Sequence, residues 1–106
     1  MKRNAAPKVH LFVCANERDA SSPLGGGCRE RGEALYEALK NEVANARAYS
    51  SVWVTKTHCL GICPKSGSTV AVYPHGVILR DVHASDAGAL YNECLGEGAF
   101  RDVERD

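Results

Sequence analysis

The chain has 106 residues, the length of one ordinary domain with room for a modest core, and residues 1–106 are read as that single domain. Thirteen basic and thirteen acidic residues cancel to zero net charge, which leaves no electrostatic footprint for nucleic acid. Hydrophobic residues make up 44% and charged residues 25%, a balance typical of soluble proteins, and no apolar run is long enough to cross a membrane.

Residues 1–7 are basic and read as a loose tail. The following apolar run, Val9 to Val13, is too short and too interrupted by His10 for a signal peptide, so the cytoplasm is the expected compartment. Lys8 to Val13 alternates like a strand and delivers Cys14 at its C-terminal end. Asn16 to Gly27 is turn chemistry, ending in Gly25, Gly26 and Gly27. From Cys28 to about Ala48 the spacing becomes helical, with Leu35, Ala38, Leu39, Val43 and Ala46 on one stripe. Gly32 weakens the first turn of this helix slightly.

Ser51 to Thr57 is rich in β-branched residues and reads as a second strand, running into Cys59 and Cys63. Pro64 to Ser68 is a loop. Thr69–Tyr73 and Val77–Arg80 form a hairpin around Pro74, His75 and Gly76, where Gly76 supplies a positive φ. Ser85 caps a last helix whose stripe is Ala87, Leu90, Tyr91, Cys94 and Leu95, stopped by Gly96 and Gly98. Arg101 to Asp106 is a second loose tail. This order predicts a thioredoxin-like α/β domain, with a mixed sheet of about four strands and two main helices. A right-handed crossover makes the first two strands parallel neighbours, and the hairpin extends the sheet on the other side. Both cysteine pairs then meet at one end of the sheet.

Four thiols so placed, Cys14, Cys28, Cys59 and Cys63, form a candidate ligand set, because crowded thiolates repel unless a cation lies between them. Three residues separate Cys59 from Cys63, as in a zinc knuckle, but thirteen separate Cys14 from Cys28, which a zinc site does not usually show. Spacing matches neither common ferredoxin run. On spacing alone, zinc and an iron–sulfur cluster stay equally open. Five cysteines is an odd number, and a disulfide framework is the weaker reading. Cys94 reads as a buried small hydrophobe, His58 as a surface histidine or a neighbour of the ligands, and His10, His75 and His83 as ordinary strand and turn residues. No Cys-x-x-Cys, triad or carboxylate pair supports dithiol exchange or hydrolytic chemistry.

His10-Leu11-Phe12-Val13-Cys14, Gly27-Cys28 with Arg31-Gly32, Thr57-His58-Cys59-Leu60-Gly61-Ile62-Cys63, and Val70 to Val77 carry a resemblance, in the right order. From His10 to Gly98 the chain resembles the thioredoxin-like [2Fe-2S] ferredoxins, whose domain is related to a subunit of respiratory NADH dehydrogenase. The resemblance implies one [2Fe-2S] cluster per chain, with Cys14, Cys28, Cys59 and Cys63 as ligands. It implies a one-electron carrier rather than an enzyme, a homodimer, and redox partner proteins. A cluster-bearing subunit of a larger oxidoreductase is the alternative, and a zinc-stabilised interaction module the third reading. Trp53, Ile78 and Leu79 are expected on the dimer face, since they exceed what one sheet face needs. The glycine-rich loop between Cys14 and Cys28 predicts that these two ligands tolerate substitution better than the second pair.

Overall fold

The computed structural model describes residues 1–15, 29–58, 67–96 and 100. Strand β1 (Val9–Cys14) turns Val9, Leu11 and Val13 to one side, and helix α1 (Arg29–Ala46) sets Leu35, Leu39 and Val43 against that side. Strand β2 (Val52–Thr57) returns parallel to β1, with Val9 opposite Val52 and Cys14 opposite Thr57. Strands β3 (Ser68–Tyr73) and β4 (Val77–Val82) form the hairpin, and β3 pairs antiparallel with the free side of β1. The sheet order is therefore β2-β1-β3-β4, the mixed sheet the sequence predicts.

Helix α2 (Ala87–Leu95) shares one hydrophobic core with α1 and the inner sheet face through Ala87, Leu90, Tyr91 and Cys94. Each aliphatic side chain fully removed from water contributes about 1.5–3 kcal/mol, so the Leu11, Leu35 and Leu39 contacts dominate this side of the sheet. Residues 1–7 carry no regular secondary structure. The tail at 101–106 and the proposed stop at Gly98 lie outside the described residues.

Four details differ from the sequence reading, each for a local reason. Helix α1 stops at Ala46 without a glycine. Arg47 takes φ 53°, and the Ala48 N–H bonds back to the Val43 carbonyl at 3.0 Å, a Schellman ending built on arginine. Ala46, expected on the apolar stripe, is exposed as a result of lying in that last turn. Ser85 does not cap the last helix. It lies within a single 3-10 turn, Ala84–Asp86, where the His83 N–H donates to the Asp86 carboxylate at 2.9 Å, and α2 begins one residue later. Leu95 is 48% exposed, so the buried stripe of α2 ends at Cys94. Strand β4 runs on to Val82 through Asp81 at φ 57°, with a register shift opposite Ser68 and Val70.

The hairpin turn is as expected. Gly76 takes φ 71° and its N–H bonds to the Val72 carbonyl at 2.9 Å, while the Tyr73–Pro74 peptide is cis.

Candidate metal centre

Cys14 ends β1 and is completely buried. Its surroundings come from three elements. On one side the parallel ladder continues past the strand, with the Ala15 N–H donating to the Thr57 carbonyl at 2.9 Å. The Cys14 Sγ–H donates to the carbonyl of His58 at 3.3 Å, so the thiol lies against the residue that directly precedes Cys59. On the other side, the Ser68 hydroxyl donates to the Cys14 carbonyl at 2.6 Å. Ser68 lies in β3 just beyond the segment that carries Cys59 and Cys63, so both ends of that segment are tied to Cys14.

The third element is α1. Gly32 is buried in its first turn, and a Cβ there would collide with the Cys14 carbonyl oxygen and lie 2.9 Å from Ala15 Cα. Only a glycine lets the start of the helix come this close to the end of β1. Cys28 immediately precedes α1 in the chain, so this contact brings the helix start toward Cys14. Of the four candidate ligands only Cys14 is described; Cys28, Cys59 and Cys63 lie outside the described residues. Every described flank of those three, namely Arg29, His58 and the Gly67–Ser68 corner, belongs to an element that touches Cys14 or its neighbour.

The chemistry of this corner suits an anionic centre. The first turn of helix α1, the partially positive end of its dipole, packs against this corner and suits a negative group held there. Thr57 stands opposite Cys14, and its Oγ1 is buried with no hydrogen-bond partner among the described residues. By contrast, Cys94 lies in the core of α2, where its Sγ–H donates to the Tyr91 carbonyl at 3.1 Å and burial pushes its pKa up to about 11. That thiol is packed and protonated, as the sequence reading had it. His58 keeps an exposed side chain and contributes its carbonyl.

No protein-family model matches the chain. A 2Fe-2S ferredoxin of Clostridium pasteurianum is 32% identical over 92 residues, which span 87% of this chain and 89% of that protein. The chain belongs to the [2Fe-2S] ferredoxins. A second 2Fe-2S ferredoxin, from Aquifex aeolicus, is 30% identical over 98 residues, spanning 91% of this chain and 85% of that protein. The crystal structure of the wild-type thioredoxin-like [2Fe-2S] ferredoxin of Aquifex aeolicus aligns with a TM-score of 0.74 at 25% identity, over 85% of this chain and 87% of that one. A further structure of a thioredoxin-like [2Fe-2S] ferredoxin from the same organism gives 0.75 at 26% identity. Fold and family thus agree with the sequence reading. Ferredoxins of this thioredoxin-like kind carry a [2Fe-2S] cluster and transfer electrons; they are not enzymes.

Sequence reasoning missed two side chains at this ferredoxin's centre. Ser68 reads as loop, because Ser66-Gly67-Ser68 has turn composition and its long-range bond to Cys14 leaves no local trace. Thr57 read only as a β-former. The one available signal was its place two residues before Cys59. In sequence Gly32 shows only its low helix propensity, and its packing role needs the helix–strand contact.

Proposed function

We propose that Cys14, Cys28, Cys59 and Cys63 hold one [2Fe-2S] cluster per chain, and that the protein relays single electrons between partner redox proteins in the cytoplasm. The Cys14 thiol carries this reading, since it is buried at the meeting point of β1, β2 and α1 and lies 3.3 Å from the backbone of the residue before Cys59. A cluster of this kind, held by four thiolates, supplies a one-electron couple and becomes more negative on reduction. The chain's own part is to hold Cys14 rigidly, through Ser68 and the Thr57 carbonyl, and to keep water from its sulfur. The start of α1 offsets part of the negative charge. A cytoplasmic location suits ligands that must stay reduced, and among the described residues no helix is long and apolar enough to cross a membrane. The free-carrier reading draws on the match to 89% of a whole relative named as a ferredoxin. Iron and acid-labile sulfide assays on anaerobically purified protein are expected to give two of each per chain. Stoichiometric zinc in protein matured with ample iron and sulfide would overturn the assignment.

The second copy in a homodimer is proposed to dock on the outer sheet face. There His10 stacks on Phe12 with ring centroids 4.0 Å apart, Trp53 meets His10 edge-on at 5.5 Å, and Tyr73 meets Phe12 at 6.0 Å. With Ile78, these side chains form a band across all four strands, opposite the helices, and Trp53, Tyr73 and Ile78 are each about half exposed. Aromatic patches of this kind mark interface cores. Leu79 does not belong to it, because it lies on the opposite parity and packs against the hydrophobic core. Zero net charge removes long-range repulsion between two copies. Sedimentation at micromolar concentration is expected to show the dimer, and Trp53→Arg to shift it toward monomer. A wild-type sample containing only the 11.4 kDa species would refute the dimer.

A further inference from the structure

We propose that the Thr57 hydroxyl donates a hydrogen bond to the Cys14 sulfur when that sulfur is bound as a thiolate, and so raises the reduction potential of the centre. The proposal rests on the cluster reading above. Residues opposite each other in a parallel ladder project from the same sheet face, with strands about 4.8 Å apart. Cys14 and Thr57 are such a pair, at the last rung where β1 and β2 both reach the centre. Thr55, two residues earlier on the same face, already shares a 2.8 Å hydrogen bond with His10 Nε2. Thr57 Oγ1 is buried and has no partner among the described residues.

A buried hydroxyl without a partner carries a free-energy cost that a native protein normally relieves. The free thiol of Cys14, whose proton goes to the His58 carbonyl, is a weak acceptor and is not paired with the hydroxyl. Binding as a thiolate removes that proton and makes the sulfur a pure acceptor. The hydroxyl on the opposite rung, on the same sheet face, then becomes a fitting donor once its side chain turns to the sulfur. A hydrogen bond to a ligand sulfur withdraws charge from it, which favours the more negative, reduced state.

The test compares the loaded wild type with Thr57→Val, which keeps the shape and removes the hydroxyl, and with Thr57→Ser, which keeps the hydroxyl. Thr57→Ala serves as a second hydroxyl-free variant if valine disturbs assembly. The hydroxyl-free variants are expected to shift the one-electron equilibrium three- to tenfold toward the oxidised form. At 59 mV per tenfold this is a potential about 30–60 mV more negative. They should also lose part of the change that deuterium oxide produces in the iron–sulfur stretching bands of the resonance Raman spectrum. Thr57→Ser should keep both signals. Potentials and isotope shifts that match the wild type in the hydroxyl-free variants would overturn the hydrogen bond. So would Thr57→Ser behaving like Thr57→Val, since the methyl group would then be what matters. A wild type that binds no iron or sulfide would instead refute the cluster reading, and this role with it.

Discussion

Cys14→Ser will strip this ferredoxin of most of its cluster, and the loss will exceed that from Cys28→Ser. The sequence suggested that both ligands of the first pair would be tolerant, because a long glycine-rich loop joins them. The structure bears on Cys14 alone, and there it argues against tolerance. Cys14 is a strand residue with no exposed surface; its carbonyl is held by Ser68 and the next N–H by Thr57. Its backbone has no freedom to compensate for a shorter, harder ligand atom. Loss of a group that merely hydrogen-bonds a metal ligand weakens affinity about 10–100-fold, and loss of the ligand sulfur itself must cost more. Any cluster that survives on an alkoxide will have a lower potential, because hard oxygen favours ferric iron.

The matching control is Cys94→Ala. Its thiol is protonated, bonded to the Tyr91 carbonyl and packed in α2, so the change should cost roughly 1 kcal/mol of packing and leave the visible spectrum intact. Absorption, iron content and reduced-state EPR of the three variants decide the matter. An unaltered spectrum in Cys14→Ser beside a bleached Cys94→Ala would reverse the ligand assignment.

The contrast between these cysteines shows what was legible in the chain. Strand and helix periods differ, so Val9–Val13, the Leu35–Leu39–Val43 stripe and the Val70–Val72 run announced their elements and faces. The parallel pairing of β1 with β2 followed from crossover handedness, and it brings Cys14 beside His58. What stayed hidden depends on contacts between distant residues. Ser68 is a strand residue because it pairs with Val82 of β4, and its hydroxyl finds the Cys14 carbonyl, 54 positions away. Arg47 ends a helix that composition would have carried further, because the chain must turn back into β2 and the Schellman bonds hold it there. Asp86 displaced Ser85 at the last helix through one carboxylate bond to the His83 N–H. Local propensity is silent on each of these.

Gly32→Ala will destabilise the protein, although alanine is the better helix former. At an exposed helical position the exchange would gain about 1 kcal/mol. Here the added Cβ meets the Cys14 carbonyl oxygen and Ala15 Cα, both backbone atoms at a strand end that β2 and β3 hold in place. Neither can swing aside as a side-chain tip would. Forcing a methyl group into a packed site costs typically 1–3 kcal/mol, and rigid neighbours put this case toward the upper end. The net loss is therefore roughly 1–2 kcal/mol, a fall in Tm of about 5–10 °C for a domain of this size. The alternative to strain is a retreat of α1 from β1, which would carry Cys28 away from Cys14 and lower the iron content. Thermal unfolding of the metal-free variant reads the first effect, and iron per chain after reconstitution reads the second. A variant as stable as the wild type with full iron would mean that the helix start can move without consequence, and that the close approach at Gly32 does not position the centre.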